Sequence, residues 1–213
     1  MATIKKIRHF VEYILLLGIG VVAKALPRSY MLFLGARLGD LVFYCIPIRK
    51  QITVDNIARA FPEKSDREHR LIARGTYRNL GMVALEHLCM PSLSKDDLVR
   101  IIDIDNREIL DNALTRGKGV IFVGGHFGNW EYTGCGVGSA GYPMSFVVAE
   151  IANPYINKKV NIHRQEAGAQ VIPKGVAIRG ILRALKANGC VAMLMDQDAG
   201  AEGVFVDFFN QSC

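Results

Sequence analysis

The sequence predicts an α/β fold, in which a helical N-terminal region precedes βαβ units that form a mainly parallel sheet flanked by helices. The first observation is that helical patterns and helix caps fill the chain as far as about residue 90. The second is that short apolar runs alternate with helical patterns from about residue 100 onward. The third is composition: a chain of 213 residues that is 50% hydrophobic and 22% charged can bury a sizeable core, which excludes wholesale disorder.

The first element is an apolar segment over residues 10–26, preceded by Lys5, Lys6 and Arg8. Its uncharged stretch, residues 13–23, is 11 residues long, whereas a spanning helix needs about 20 apolar residues. Three interpretations stay open: a retained membrane anchor that is embedded or tilted, a helix buried in the core, and a cleaved signal peptide. We favour the retained anchor, with its basic N-terminus on the cytoplasmic side.

The net charge of +6 lies entirely at the N-terminal end. Residues 1–50 carry eight basic and two acidic side chains, and the remaining 163 residues carry 18 of each. A basic end beside an apolar segment indicates an anionic membrane surface as partner. The basic residues are neither spread over a docking face nor interleaved with aromatics, which argues against nucleic acid. Five widely spaced cysteines without a C-x-x-C pair argue against a disulfide framework or a structural zinc site.

Three further helices are predicted before residue 100. Pro27 opens an apolar helix whose Gly35 and Gly39 permit close approach of a second helix. An amphipathic helix over residues 49–61 stops before a proline, and a Ser-x-x-Glu capping box opens a long helix over residues 65–89. We therefore expect three segments, namely a membrane-associated helix, a helical region and an α/β core, over residues 1–26, 27–100 and 101–213.

Strands and helices alternate in the predicted α/β core. Strands are expected over residues 120–123, 145–149, 171–172, 191–195 and 204–209, and helices over residues 132–140, 153–168 and 176–188. The run 120–123 is apolar at every position, so we expect it in the interior of the sheet. In such sheets the chemistry gathers at the carboxyl ends of the strands.

One strand end carries candidate catalytic residues. The run 120–123 leads into Gly-Gly-His126-Phe-Gly-Asn-Trp-Glu131, in which the glycines permit a sharp turn. With His126 in the turn and Glu131 in the first helical turn, the two can meet as a general base and its orienting carboxylate. No G-x-S-x-G elbow occurs, so direct deprotonation of an acceptor hydroxyl fits better than a serine acyl-enzyme. The alternative is a core or turn histidine beside an ordinary helix acid.

The string GGHFGNWE resembles the H-x4-(D/E) motif of the lipid A biosynthesis acyltransferases, the lauroyl/myristoyl branch of the lysophospholipid acyltransferase superfamily. The resemblance covers nearly the whole chain. Three further segments are similar to family motifs. Residues 56–61 resemble N-L-x-x-A-F, and Asn153-Pro154 with Arg164 and Gly168 resembles N-P…R…G. Residues 196–198 with 203–209 resemble D-Q-x…G-x-F-V-x-F-F-G.

The resemblance implies transfer of a fatty acyl chain from acyl carrier protein, or alternatively from coenzyme A, to a hydroxyl of a lipid acceptor at the cytoplasmic face of the inner membrane. It implies His126 as general base, Glu131 as its orienting partner and Arg164 as stabiliser of the oxyanion. Asp196 either holds Arg164 or caps a loop. The expected substrate contacts, besides Asp196, are Gly125, Asn129 and Trp130. No metal or organic cofactor is implied.

Departures from the family pattern bear on the acceptor and on the length of the chain. Residues 148–150 replace a Y-R-P stretch of many lipid A enzymes, so phosphoinositol-mannoside acyltransferases of the same superfamily are a second comparison. Family members typically continue beyond the last block, where Asn210 replaces a glycine, so we expect a chain truncated at its C-terminus. A non-catalytic membrane-bound remnant therefore remains an alternative. A metal-dependent hydrolase that uses His126 and Glu131, with His163 as an optional third ligand, is disfavoured, because no tight ligand motif occurs.

An apolar groove for the acyl chain is expected beside the site. The sequence offers four aromatic residues that could set the length of the acyl chain and does not choose among them: Trp130, Phe127, Phe146 and Phe205. For the acidic carrier protein, the docking charges are expected at residues 49–50 and 158–159.

Overall fold

A computed structural model describes residues 2–46, 48–197, 200 and 203–212. The helices are α1 Ala2–Ala25, α2 Arg28–Cys45, α3 Lys50–Ala60, α4 Asp66–Cys89, α5 Lys95–Ile101, α6 Arg107–Leu114, α7 Trp130–Ser139, α8 Pro154–Glu166 and α9 Ala177–Lys186. The strands are β1 Val120–Gly124, β2 Met144–Val148, β3 Gln170–Pro173, β4 Cys190–Leu194, β5 Asp207–Phe208 and β6 Gln211–Ser212. Two short 3-10 helices lie at Met90–Ser92 and Lys174–Val176.

The helical N-terminal region is confirmed, together with the signals that delimit its helices. Pro27 directly precedes α2, and α3 ends before Phe61 and Pro62. At the start of α4, the backbone N–H of Ser65 donates to the Glu68 carboxylate at 2.8 Å, and the Glu68 N–H donates to the Ser65 hydroxyl at 3.4 Å. This reciprocal pair is the predicted capping box, and it satisfies two N–H groups that the helix itself leaves free.

The chain divides into two compact units. The first comprises the described residues of Met1–Lys24 and His87–Asp196, and the second those of Ala25–Glu86 and Gln197–Cys213. The first unit contains a four-stranded sheet in the order β1-β4-β2-β3, with every neighbouring pair parallel. This confirms the predicted parallel sheet. Its core joins the sheet to α5, α6 and α7 through buried side chains that include Leu98, Leu110, Cys135, Met144 and Phe146.

Two expectations about the strands are wrong, and two helices were not expected. Strand β1 lies at the edge of the sheet formed by the described residues, because β4 inserts between β1 and β2, and Ile121 and Val123 are 48% and 72% exposed. The expected strand over residues 204–209 shrinks to β5, which pairs antiparallel with β6 in a separate hairpin. Helices α5 and α6 were not predicted as separate helices, because they are only 7 and 8 residues long.

Within the second unit, the predicted close approach of helices is confirmed between α2 and α4. A Cβ atom on Gly35 or Gly39 would fall closer than 3.0 Å to the backbone of α4, so only glycine fits at either position. Beside this crossing, the Arg74 guanidinium donates to both carboxylate oxygens of Asp40, at 2.7 and 3.1 Å. That hydrogen bonding, opposed by desolvation, lowers the pKa of Asp40 below its usual value.

Helix α1, which belongs to the first unit as far as Lys24, packs against the rest of that unit along one side. Asn153 donates from its amide nitrogen to the His9 carbonyl at 2.7 Å and to the Glu12 carboxylate at 3.0 Å, and the Tyr155 ring stacks on Tyr13. Nine apolar side chains on its other sides are exposed: Ile4, Ile7, Val11, Ile14, Leu15, Leu17, Ile19, Val21 and Val22. Among the described residues, no single helix has the length and apolar character needed to span a membrane, whereas α2 and α3 meet that test only as a pair bent by 99°. The helix is confirmed, and its role as an anchor stays a prediction.

Candidate active site

The predicted histidine lies at the carboxyl end of the sheet. Strand β1 ends at Gly124, whose carbonyl accepts a hydrogen bond from the backbone N–H of Met195 at 3.0 Å. This bond joins the turn after β1 to the turn after β4, which carries Asp196. A Cβ atom on Gly125 would lie 3.1 Å from the Asp196 carboxylate, tighter than ordinary contact. Glycine at this position therefore lets the two turns approach closely.

The imidazole of His126 pairs with Asp196. Its Nδ1 lies 2.7 Å from one carboxylate oxygen, and its backbone N–H donates to the other oxygen, also at 2.7 Å. Burial raises the pKa of Asp196, but these hydrogen bonds outweigh it, so the pKa lies below its usual value. An ionised Asp196 accepts a hydrogen bond from the Nδ1–H group and thereby selects the tautomer in which Nε2 carries a lone pair. Both side chains keep access to solvent, at 29% exposure for His126 and 34% for Asp196.

The carboxylate of Glu131 pairs with Arg164 instead. Asn129 caps α7 by accepting the Tyr132 N–H at 3.1 Å, which places Glu131 in the first turn of the helix. The Arg164 Nε–H of α8 donates to Glu131 at 2.9 Å, and its Nη2 donates to the second oxygen. Both residues are buried, at 8% and 7% exposure. A third bond runs from Arg164 Nη1 to Asn161 at 2.9 Å.

The structure brings the predicted site residues together but exchanges two partners. Glu131 was expected to orient His126, and Asp196 was considered as a partner of Arg164. The Glu131–His126 pairing is wrong, and of the two roles left open for Asp196 the structure does not show the one with Arg164, because β4 is the direct neighbour of β1 and carries Asp196 to His126. Glu131 lies on the buried side of α7 and faces α8, where the Arg164 guanidinium occupies both of its oxygens.

Trp130 and Asn129, two of the predicted substrate contacts, have different neighbours in the structure. The Trp130 ring meets the His126 ring edge-to-face, with centroids 4.7 Å apart. On the other side, the His87 ring lies 5.4 Å from Trp130. Sequence reasoning missed His87, because it closes α4 far along the chain and belongs to no motif. Trp130 thus holds the imidazole by direct contact, whereas the side-chain carbonyl of Asn129 serves as a helix cap.

An apolar cavity of about 410 Å³ opens beside the pair of His126 and Asp196. His126, Glu131 and Arg164 form its polar part, and its apolar lining includes Met144 and Phe146 of β2. Three of the four aromatic candidates for the acyl groove line it, namely Trp130, Phe127 and Phe146. Phe205 belongs to the second unit.

No group of three or more His, Cys, Asp or Glu side chains in the described part of the chain is placed to hold a metal ion. His163, the histidine considered for a metal site, lies in α8 and is 2% exposed. Its Nε2 has no hydrogen-bond partner among the residues that the structure describes. Burial lowers the pKa of His163, against a smaller opposing effect of Glu166.

These features define an α/β protein with a histidine–carboxylate pair at the carboxyl end of a parallel sheet and an apolar cavity beside it. The chain belongs to the bacterial lipid A biosynthesis acyltransferase family, whose pattern it matches over residues 1–212.

Named relatives agree with this assignment. The chain is 30% identical over 186 residues to the lipid A biosynthesis palmitoleoyltransferase of Escherichia coli (strain K12), covering 86% of this chain and 60% of the relative. It is 26% identical over 196 residues to the lipid A biosynthesis lauroyltransferase of the same organism, covering 91% and 63%. It is 25% identical over 128 residues to the phosphatidylinositol mannoside acyltransferase of Mycobacterium tuberculosis (strain CDC 1551 / Oshkosh), covering 57% and 40%. The chain thus spans about 60% of the length of the first two relatives.

Proposed function

We propose that the protein is an O-acyltransferase that moves a fatty acyl chain from a thioester donor to a hydroxyl of a lipid A precursor or a related glycolipid. Family membership supports the reaction class, and the names of the relatives support a glycolipid acceptor. The observation that carries the mechanism is the His126–Asp196 hydrogen bond at the rim of an apolar cavity.

His126 is the proposed general base. With Nδ1 donating to Asp196, the lone pair of Nε2 takes the proton of the acceptor hydroxyl as its oxygen attacks the thioester carbonyl carbon. The carbon–sulfur bond then breaks, and the imidazolium returns the proton to the leaving thiolate. Asp196 stabilises the imidazolium between these steps, which is the role that the sequence had assigned to Glu131.

Arg164 is the proposed oxyanion stabiliser. A guanidinium has five N–H donors, and three of them are used by Glu131 and Asn161. Within the described part of the chain, this leaves two donors for the oxygen that becomes negative in the tetrahedral intermediate. The buried Glu131 carboxylate fixes the plane of the guanidinium before substrate binds, so this stabilisation needs little reorganisation during the reaction.

Acyl carrier protein is the proposed donor, with acyl-coenzyme A as the alternative. The carrier protein is acidic, and Lys158 and Lys159 on α8 offer basic charge on the helix that carries Arg164. We place the reaction at the cytoplasmic face of the inner membrane. The exposed apolar sides of α1 and the basic residues Lys5, Lys6 and Arg8 support contact with an anionic membrane surface.

The test is radiolabelled acyl transfer by the purified protein, from acyl carrier protein and from coenzyme A, to a lipid A precursor and to a phosphatidylinositol mannoside. His126→Ala is expected to lower turnover by about 10²–10⁴-fold with donor binding nearly unchanged. Asp196→Asn should also lower turnover. Asp103→Asn removes an exposed carboxylate of the loop between α5 and α6 and is the matched control, expected to transfer like wild type. Transfer by His126→Ala at the wild-type rate would refute the mechanism.

A further inference from the structure

Phe146 and Gly134 pack against each other in the wall of the cavity beside His126. Both residues line it, Gly134 from α7 and Phe146 from β2, and they touch each other. A Cβ atom built on Gly134 would fall closer than 3.0 Å to two ring carbons of Phe146. The two walls of the cavity are therefore in contact here, and only the missing side chain of Gly134 lets the ring lie where it does.

The direction of β2 places this contact between the polar rim and the inner end of the cavity. The rim lies at the carboxyl end of the sheet, where His126 and Val148 are found, and Met144 marks the opposite end of the lining strand. At about 3.3 Å per residue, Phe146 stands roughly 7 Å below Val148 and the same distance above Met144. An alkyl chain that enters from the rim must pass the Phe146 ring before it reaches Met144.

The ring is confined on two sides. Gly134 lies against its edge, and the Arg164 guanidinium carbon lies 5.9 Å from its centroid. Arg164 is itself held by Glu131, so the ring has little room to retreat in that direction. Extra volume at position 134 must therefore either occupy the cavity or displace the ring into it.

We propose that Phe146, with its position set by Gly134, limits the length of the acyl chain that the cavity accepts. This rests on the proposed acyl transfer and adds the residues that select the acyl chain. Each methylene that no longer fits loses its burial free energy, and such differences give about tenfold selectivity between chains that differ by one or two methylenes.

The test is the rate of transfer from a series of acyl carrier protein thioesters of graded chain length. Gly134→Ala is expected to raise the ratio of short-chain to long-chain transfer by about tenfold, because it narrows the cavity beside Phe146. Phe146→Leu is expected to shift the ratio toward longer chains by a similar factor. Thermal melts establish that each variant is folded, and Phe146→Leu decides the matter if Gly134→Ala does not fold.

Gly136→Ala is the matched control. Gly136 lies on the same helix, and a Cβ atom there would also crowd a hydrophobic side chain, that of Ile102. Ile102 does not line the cavity. Both glycine variants should lose stability, but only Gly134→Ala should change the preferred chain length. The same length profile in Gly134→Ala, Phe146→Leu and wild type would overturn the inference while leaving acyl transfer intact.

A binding measurement separates this inference from the proposed function. Non-hydrolysable thioether analogues of the acyl donor, with acyl chains of graded length, are titrated into the protein by calorimetry. The detergent is a bile salt, because it has no alkyl tail that would compete for the cavity. If the preferred chain length shifts in Gly134→Ala, the length limit is supported, whether or not wild type transfers an acyl chain. Absence of transfer by wild type would refute the proposed function alone. Equal binding of all lengths by wild type would refute the length limit.

Discussion

Glu131 is expected to matter chiefly for folding, because it is one half of a buried ion pair. Both oxygens are bonded by Arg164, and the two residues are only 8% and 7% exposed. Glu131→Leu leaves the guanidinium charge buried without a counter-charge, which costs about 3–5 kcal/mol in comparable pairs. For a chain of this size, about 2–4 °C is lost per kcal/mol, so the melting temperature should fall by roughly 6–20 °C.

A double-mutant cycle tests this explanation. Arg164→Met alone should be as destabilising as Glu131→Leu, whereas the double variant should recover most of the loss, since it buries no unpaired charge. Unfolding is followed by circular dichroism against temperature and urea. Asp196→Asn is the contrast, because its side chain is one-third exposed and it should melt close to wild type while turnover falls. A Glu131→Leu variant that melts like wild type, or a double variant no better than either single one, would refute the reasoning.

Three further outcomes follow from buried groups and from the helix crossing. Burial, and to a smaller extent the nearby Glu131 charge, raises the pKa of Cys135 to about 12. Iodoacetamide at pH 8 should therefore label exposed Cys45 and leave Cys135 unlabelled until urea is added, and peptide mass mapping measures both. Burial holds the pKa of His163 below its ordinary 6.5, so the stability that the neutral, buried imidazole contributes is complete above pH 6.5 and is lost as the pH falls. Urea unfolding between pH 7.5 and 5.5 should therefore show a smaller loss of unfolding free energy in His163→Leu than in wild type. Gly39→Ala should lower the melting temperature by crowding the backbone of α4, whereas Gly75→Ala, whose Cβ meets nothing within 4 Å, should raise it slightly.

Local features of the fold were predictable because they depend on neighbours in sequence. The capping box at Ser65, the proline before α2 and the glycines of the α2–α4 crossing each act within a few residues or along one helix face. The apolar runs likewise predicted β1 and β4 within one residue at each end. Helices α5 and α6 escaped prediction because they are only 7 and 8 residues long, so periodicity carries little information there.

The order of the strands was not predictable in this way, and it explains the two main errors. Strand β4 returns to lie between β1 and β2, which leaves β1 at the edge of the described sheet and exposes Val123. The same return carries Asp196 to His126 across 70 positions of sequence.

The exchange of partners also explains why a histidine and a glutamate five positions apart can belong to one site without touching. His126 lies in the turn, where the neighbouring strand end supplies Asp196, and Glu131 lies one helical turn further on, where α8 supplies Arg164. The short spacing places the proposed base, His126, and the Arg164 guanidinium on the same cavity, and it does not bring His126 and Glu131 into contact. Four residues thus form two pairs with different environments: the His126–Asp196 hydrogen-bonded pair is open to solvent, and the Glu131–Arg164 ion pair is buried. The open pair suits proton transfer, whereas the buried pair suits a fixed positive charge, since a guanidinium held by a carboxylate in a dry site keeps its orientation.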